Sequence, residues 1–188
     1  MKNKIMISKY SEILKTLKKT EIALNSDSRI LIIDGLNTFI RAFAANPCMN
    51  DDGIHIGGIV GFLLSMGYAI KSFKPTRVII AFDGSGGSQR RKKIYSEYKA
   101  NRVANPKKPR FNRKYNFQNK KQEDQLMRLE MSRLIEYLEN TPIQIITIDN
   151  IEADDTIAYI KTLFNNSNII IMSSDRDFLQ LVDKKTTV

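Results

Sequence analysis

The sequence predicts a doubly wound α/β fold with a mainly parallel sheet. Four short runs rich in β-branched residues, at 29–33, 77–82, 143–148 and 168–174, have the continuous apolar character of strands buried on both faces. Helical segments separate these runs, and such alternation is typical of doubly wound folds. The 188 residues, 42% of them hydrophobic, suffice for one well-buried domain with a small appendage.

The helices are predicted from apolar periodicity and from their start and stop signals. Residues 1–28 form an N-terminal extension in which 8–25 read as an amphipathic helix, which packs on the sheet or docks a partner. A helix near 38–45 follows the first strand, and a second helix opens at Gly57. Further helices are expected at 122–140, at about 153–164 and at 178–182. The apolar face of the 122–140 helix is expected to comprise Leu126, Leu129, Leu134, Ile135 and Leu138.

Gly57 and Gly58 at the start of the second helix have two interpretations. Glycines permit close approach of the backbone, and a helix N-terminus offers N–H groups to a phosphate. The alternative is tight packing of the helix against a neighbour. The sequence leaves both open.

Composition excludes several classes of protein. No apolar run approaches the ~20 residues of a membrane span. The N-terminus lacks the apolar core of a signal peptide, so the cytoplasm is the expected compartment. We also expect the protein to be a monomer. The single Cys48 excludes an internal disulfide and a cysteine-based zinc site. The single His55 has no visible partner motif for nucleophilic catalysis, and we expect it to be an exposed loop residue.

Seven carboxylates follow the ends of the four predicted strands. In open α/β sheets ligands bind beyond the carboxyl ends of the strands, so these acids should converge. Two carboxylates roughly 5 Å apart repel by about 3 kcal/mol at an effective dielectric near ~20, and hard divalent cations with oxygen ligands would relieve that repulsion. The seven are Asp34, Asp83, Glu152, Asp154, Asp155, Asp175 and Asp177.

Each group of acids also has a purely structural explanation. Acids in a first helical turn complement the helix dipole, which accounts for one or two of the three acids in 152–155, although Asp154 shares a helical face with Ile157 that should look toward the sheet. The acids at 175–177 fit an N-cap with an Asx-turn, and Asp-Gly pairs are common turns. Agreement of all four groups at one sheet edge favours metal binding. Two divalent ions roughly 4 Å apart can hydrolyse a phosphodiester without a protein nucleophile.

The net charge of +10 is concentrated in residues 88–121, where thirteen Lys and Arg residues face one acid, Glu97. Gly84 to Gly87 read as a flexible hinge leading into this stretch. Basic residues interleaved with aromatic ones are typical of single-strand nucleic-acid binding, and the alternative is a solvated charged loop. The residues expected to contact nucleic acid are Arg90, Arg91, Lys92, Lys93, Tyr98, Lys99, Arg102, Lys107, Lys108, Arg110, Arg113 and Lys114.

These motifs resemble the 5′ nucleases of the flap endonuclease group, especially the bacteriophage ribonuclease H and 5′-3′ exonuclease branch. The matching segments are Ile33-Asp34-Gly35, Ala81-Phe82-Asp83, Glu97-Tyr98-Lys99-Ala100-Asn101-Arg102, Glu152-Ala153-Asp154-Asp155, and the run from Ser173 through Asp175 and Asp177 to Leu181. They occur in the family's order. The resemblance implies a PIN-like (resolvase-like) domain over 29–188, with 88–121 as a basic helical arch, and two positions for Mg²⁺, which Mn²⁺ can replace.

The resemblance also implies a role for each acid and for two basic residues. Asp34, Asp83, Glu152 and Asp154 look like ligands of the first metal, and Asp155, Asp175 and Asp177 like ligands or supports of the second. Lys99 and Arg102 match the arch residues that contact the scissile phosphate, and with Asp34, Asp83 and Asp154 they make up the catalytic set. The implied activity removes RNA primers and 5′ flaps during DNA replication or repair. DNA, RNA–DNA hybrids and replication proteins are therefore the expected partners, in the host cytoplasm if a phage encodes the chain.

The chain departs from the family pattern in three places. Its motifs end soon after Asp177, where relatives continue into a helical DNA-binding region with one more acid, so the completeness of the second metal site stays open. The Gly84–Gly87 segment stands where relatives carry a basic residue, which Arg90 or Arg91 replaces. Residues before 29 have no counterpart. Two other functions stay open: a non-catalytic nucleic-acid-binding module, and a PIN-type endoribonuclease, against which the long basic insertion argues.

Overall fold

The structure, a computed structural model, describes residues 28–98, 117 and 119–188. Within them, five parallel strands form one sheet in the order β3-β2-β1-β4-β5. The central strand β1 lies between β2 and β4, so the winding of the chain reverses beside it, as at the switch point of doubly wound sheets. The strands are β1 Arg29–Asp34, β2 Arg77–Asp83, β3 Gln144–Ile148, β4 Asn168–Met172 and β5 Thr186–Thr187. The predicted fold class is confirmed, with β5 as an additional short strand.

Helices cover both faces of the sheet because successive strand residues point to opposite sides. Ile30 and Ile32 pack with α5 on one face, whereas Leu31 and Ile33 pack with α1, α2 and α4 on the other. The helices are α1 Gly35–Ala45, α2 Gly57–Phe73, α3 Gln89–Ile94, α4 Lys120–Glu139 and α5 Ala153–Leu163, followed by a 3₁₀ helix at Arg176–Leu181. None of the helices described is long and apolar enough to cross a membrane. The predicted N-terminal helix at 8–25 lies outside the described residues.

Helix α4 buries part of the face predicted for it. Leu134 and Leu138 are buried as expected, and Leu126 and Ile135 are half-buried, but Leu129 is 55% exposed. Glu123 and Glu130 are buried on the same helix. Apolar periodicity alone therefore does not define this face, because two carboxylates form part of it.

His55 is buried, and the expectation of an exposed loop residue is wrong. Its side chain is fully inaccessible, with Nδ1 2.7 Å from Glu130 Oε1 and Nε2 2.9 Å from the Asn46 carbonyl oxygen. Phe43 and Phe117 pack against the imidazole ring. Because Nε2 faces a carbonyl it must donate, and a proton must also lie between Nδ1 and Glu130. The histidine is thus a structural element that joins the loop before α2 to α4.

The glycine-rich segment after β2 is a packed turn and not the predicted hinge. The Gly84 N–H donates to the Ile151 carbonyl oxygen at 3.0 Å, and the Asn150 N–H donates to Ser85 O at 2.8 Å. A Cβ on Gly84 would lie 1.7 Å from Ile148 O, so no larger residue fits without a backbone shift. This close approach fixes the end of β2, and with it Asp83, against the loop between β3 and α5.

Candidate functional site

The seven predicted acids stand at the C-terminal edge of the sheet. Asp34 and Asp83 are the last residues of the paired strands β1 and β2. Glu152 is the N-cap of α5, after β3, and Asp175 is the N-cap of the 3₁₀ helix, after β4. The parallel register brings all four strand ends to one side of the molecule, as predicted for a doubly wound sheet.

Asp34 is the most deeply buried aspartate of this edge. Its side chain is 8% exposed, and Oδ1 accepts the Asn37 N–H at 3.2 Å while Oδ2 accepts the Ser173 hydroxyl at 2.9 Å. Burial raises the pKa of Asp34, and these two hydrogen bonds oppose the rise. The charges of Asp83 and Asp175 raise the pKa further. Asp34 is therefore a carboxylate whose ionised form lacks compensation, a condition that a cation would relieve.

These acids cap helices and also lie at the same edge of the sheet. The structural interpretation, helix capping, and the functional one, metal binding, are therefore compatible. Asp83 Oδ1 accepts the Ala153 N–H at 2.7 Å and so caps α5 from the neighbouring strand. Asp175 Oδ1 accepts the Asp177 N–H at 3.0 Å within its own turn. Each of these hydrogen bonds engages one carboxylate oxygen, while the position of the residue at the sheet edge is set by the strand before it. Capping thus orients the acids without removing them from the site.

Arg91 lies among the acids at the start of α5, which we call the α5 acids (Glu152, Asp154 and Asp155). Its Nη1 lies 2.5 Å from Glu152 Oε2 and 2.8 Å from Asp154 Oδ2, and its Nη2 lies 2.8 Å from Asp154 Oδ1 and 2.7 Å from Asp155 Oδ1. The Tyr98 hydroxyl lies 2.7 Å from the same Nη1 and 2.8 Å from Glu152 Oε2. Pairing with Asp154 above all raises the pKa of Arg91, so the guanidinium is charged.

The orientation of the α5 acids differs in part from the prediction. Glu152 is the buried member at 4% exposed, whereas Asp154 turns toward Arg91 at the surface, with 38% of its side chain exposed. Asp155 is more exposed still, at 50%. The inward-facing carboxylate expected at Asp154 is therefore supplied by Glu152.

The acids do not form one compact ligand group in this structure: with these side-chain positions, no three His, Cys, Asp or Glu residues among those described are grouped so that they could hold a metal ion. The α5 acids surround a guanidinium. Asp34 interacts with the charges of Asp83 and Asp175, and Asp83 also reaches the start of α5 through the Ala153 N–H. Carboxylate oxygens are the ligands that hard divalent ions prefer. The donor type therefore fits a divalent ion, and binding one would require these side chains to regroup.

Three polar residues of the site, Asn37, Ser173 and Ser174, were not predicted to take part in it. Ser173 donates to Asp34, and Asn37 Oδ1 accepts both the Ser174 N–H at 3.2 Å and the Ser174 hydroxyl at 2.8 Å. These bonds fasten the turn after β1 to the turn after β4. The sequence does show polar residues after each of these two strands. Which of those residues contact each other is decided by the pairing of β1 with β4 in the sheet.

Gly57 and Gly58 begin α2, but the N–H groups at this helix N-terminus are already engaged by a side chain of the protein. Both glycines are buried, and Glu130 Oε2 accepts the N–H of Gly58 at 2.7 Å and that of Ile59 at 3.2 Å. An internal carboxylate therefore stands where the predicted phosphate contact would be. A Cβ on Gly57 would lie 1.9 Å from Asn46 O, so the structure has the tight packing that was the alternative interpretation.

Much of the predicted nucleic-acid interface falls outside the described residues. Lys92 and Lys93 are exposed on α3 beside Arg91. Lys99, Arg102, Lys107, Lys108, Arg110, Arg113 and Lys114, together with the side chain of Arg90, are outside the described part of the chain. The predictions for these residues stay predictions.

Comparison with known proteins identifies the family. The family described as "5′-3′ exonuclease, N-terminal resolvase-like domain" matches residues 29–188. The chain is 30% identical over 169 residues to the 5′-3′ exonuclease of Bacillus subtilis (strain 168), covering 87% of this chain and 51% of that protein. It is 34% identical over 163 residues to DNA polymerase I of Caldicellulosiruptor bescii, covering 85% of this chain and 17% of the polymerase.

Solved structures bear out the fold. The bacteriophage T5 D15 flap endonuclease, in a complex with DNA and metal ions, superposes with a TM-score of 0.63 at 21% identity, over 84% of this chain and 53% of that one. A zinc-bound T5 5′-exonuclease gives the same TM-score. The predicted PIN-like, resolvase-like fold and the predicted family are confirmed, and the chain spans about half the length of the exonuclease relatives it matches. This chain, with its acids at the edge of a parallel sheet, belongs to the family of 5′-3′ exonuclease N-terminal, resolvase-like domains.

Proposed function

We propose that this chain is the catalytic domain of a divalent-metal-dependent 5′ nuclease that hydrolyses phosphodiester bonds in 5′ flaps and RNA primers during DNA replication or repair. The observation that carries the proposal is the gathering of carboxylates around Arg91 and Asp34 at the C-terminal edge of the sheet. Family membership supports it, since the Bacillus subtilis relative is a 5′-3′ exonuclease and the T5 neighbour a flap endonuclease. The chain covers only about half the length of these two proteins. That it has the activity of a whole enzyme is therefore itself part of the proposal.

The carboxylates would hold two ions. Asp34, Asp83, Glu152 and Asp154 would bind the first, and Asp155, Asp175 and Asp177 would bind or support the second. Mg²⁺ suits this set, because it needs few direct carboxylates and keeps several waters, and Mn²⁺ would replace it. The ions would stabilise charge on the phosphate and lower the pKa of a bound water. The chain's own part is to orient these acids through the caps at Ala153 and Asn37.

The basic residues would hold the nucleic acid over this edge. Lys92 and Lys93 project from α3, the helix that also carries Arg91 into the acid cluster. The remaining predicted contacts, from Arg90 to Lys114, continue the same basic stretch in sequence, with Lys99 and Arg102 assigned to the scissile phosphate. DNA and RNA–DNA hybrids with a single-stranded 5′ end are the proposed substrates. Replication proteins are the proposed partners, and the monomer is the proposed active form.

A cleavage assay with a matched pair of aspartate variants tests the proposal. The full chain is incubated with a 5′-labelled flap substrate in Mg²⁺, Mn²⁺ or chelator. Cleavage should require the metal and fall by about a hundredfold or more in Asp154→Asn, because one ligand charge is lost. The control is Asp183→Asn, which alters an exposed aspartate paired with Lys161 in the last turn of α5, at the opposite end of the helix from Asp154.

Four results would contradict parts of the proposal. Binding of the flap without metal-dependent products would identify a non-catalytic module. Full cleavage by Asp154→Asn would show that the Asp154 carboxylate is not needed for hydrolysis. Cleavage of single-stranded RNA with no cleavage of DNA flaps would identify an endoribonuclease. For the basic stretch, Lys99→Ala should slow cleavage more than it weakens binding, and a proportional loss of both would exclude its assigned contact with the scissile phosphate.

A further inference from the structure

The oxygen atoms around Arg91 outnumber the hydrogens that its nitrogens can direct at them. Nη1 carries two hydrogens but has three oxygens within 2.8 Å, from Tyr98, Glu152 and Asp154. Nη2 reaches Asp154 and Asp155. The four Nη hydrogens thus face five oxygen atoms from four residues. A divalent cation would draw on carboxylate oxygens of the same residues.

One guanidinium, with a single positive charge, contacts all three of the α5 acids. Asp154 and Asp155 are substantially exposed, which gives a cation from solution access to them without unfolding. Arg91 itself is 30% exposed and stands on a short surface helix, so its side chain can leave the acids without disturbing the core.

We infer that Arg91 is a positioning residue that holds the α5 acids together and yields them to a divalent cation, so that Arg91 and the cation compete for one set of oxygens. The inference rests on the proposed function, in which these acids bind metal. Once displaced, the guanidinium lies on the same helix as Lys92 and Lys93, where it can pair with a substrate phosphate. The Arg91 guanidinium would thus pair with the α5 acids before the cation binds and with a substrate phosphate after it binds.

The same contact links the cation to the start of the basic arch. The Tyr98 hydroxyl lies within hydrogen-bonding distance of both Arg91 and Glu152, and Arg91 Cζ lies 5.5 Å from the centre of its ring. Tyr98 directly precedes Lys99 in the sequence. Release of Arg91 therefore removes a contact that holds the hydroxyl of Tyr98 at the acids. Cation binding and the position of the Tyr98 side chain are coupled through this contact.

Cation affinity, measured without substrate, tests the competition. Mn²⁺ is titrated into the full chain and the free ion is followed by its paramagnetic resonance signal, for wild type, Arg91→Gln, Arg91→Lys and Lys93→Gln. Arg91→Gln should bind Mn²⁺ about five- to tenfold more tightly, the low end of usual coupling between two sites. Lys93→Gln removes the same charge from the same helix without these contacts and should stay within about twofold of wild type, because its effect is screened. Arg91→Lys keeps the charge but loses the fork, so its affinity should lie in between.

A second readout is the rise in melting temperature on adding Mn²⁺, which should be larger for Arg91→Gln than for wild type because binding to the folded state is tighter. Equal Mn²⁺ affinity in wild type and Arg91→Gln would overturn the competition and leave the nuclease proposal standing. Weaker binding by Arg91→Gln would overturn it as well, since Arg91 would then assemble the acids for the cation. Absence of Mn²⁺ binding by the wild-type chain would overturn the proposed function together with this inference. If Arg91→Gln does not fold, Arg91→Lys decides, because affinity equal to wild type would overturn the competition.

Discussion

Replacing Glu130 by alanine should cost far more stability than replacing Glu136 on the same helix. The Glu130 carboxylate is 3% exposed and accepts from the N–H groups of Gly58 and Ile59, with His55 Nδ1 at 2.7 Å. Its removal leaves two backbone donors and a polar imidazole buried together. Each buried donor left unsatisfied costs about 1–3 kcal/mol, and breaking a buried charged pair costs about 3–5 kcal/mol. We therefore expect a loss of about 4 kcal/mol, a large part of the ~5–15 kcal/mol that stabilises a typical domain.

Glu136→Ala is the matched control because helix, residue type and substitution are the same. Glu136 pairs with Arg133 at 2.8 Å, but both side chains are mostly exposed. Exposed pairs of this kind contribute little to stability, so Glu136→Ala should match wild type within error. Urea unfolding followed by circular dichroism gives both free energies of unfolding, and an unchanged slope would show that the comparison concerns the native state.

Glu130→Gln separates the role of the carboxylate charge from that of its hydrogen bonds. The amide oxygen can accept from Gly58 and Ile59 while the amide nitrogen donates to a neutral His55, so this variant should lose less stability than Glu130→Ala. Unfolding of Glu130→Ala at the same urea concentration as Glu136→Ala would refute the assignment of Glu130 as a buried anchor. Equal losses for Glu130→Gln and Glu130→Ala would show that charge, and not hydrogen bonding, carries the effect.

Three further predictions concern the edge of the sheet and the far end of α5. Burial raises the pKa of Asp34 above its unfolded value, so ionisation of this carboxyl destabilises the fold as pH rises. Asp34→Asn should therefore raise the melting temperature in chelator at neutral pH, and a lower melting temperature would contradict this. Gly84→Ala places a Cβ against Ile148 O and should cost about 1–3 kcal/mol while displacing Asp83, so urea unfolding should shift and cleavage should fall; unchanged stability would contradict the close approach. Pairing with Lys161 lowers the pKa of Asp183 in the folded protein. The ion pair therefore stabilises the fold at pH values above the unfolded-state pKa of the carboxyl, about 3.9, and this stabilisation is lost as pH falls toward the lower folded-state pKa. The difference in melting temperature between wild type and Asp183→Asn should therefore close on acidification, and a constant difference would refute the pairing.

The expected strands were found because their signal is local. Runs such as Ile30 to Ile33 are buried on both faces whatever the strand order, and α5 begins within a residue of its predicted start because acids and apolar spacing mark it. Two predictions about individual residues were wrong because the tertiary environment decided them. Leu129 has the spacing of a core residue but is exposed, and Gly84 has the composition of a hinge but is packed against Ile148.

The buried polar residues could not be predicted, because their partners are remote in sequence. Glu130 is compatible with burial only because His55 and the start of α2 lie opposite it, 75 and 72 residues earlier. When its tertiary contacts are unknown, a glutamate on a helix is predicted to be exposed to solvent. Likewise, nothing near Ser173 in the sequence indicates that its hydroxyl donates to Asp34, 139 residues away.

The sequence by itself determined which residues end the strands, and hence that carboxylates gather at one edge of a parallel sheet, because strand ends and helix starts are encoded within a few neighbouring residues. Its motifs also indicated the family, which the match over residues 29–188 confirmed. Only the tertiary structure decided how the acids divide, with Arg91 among the α5 acids and Asp34 held by Ser173 across the β1–β4 junction. The physical reason is that those contacts join segments 61 to 139 residues apart, and strand order, which no local pattern encodes, brings them together.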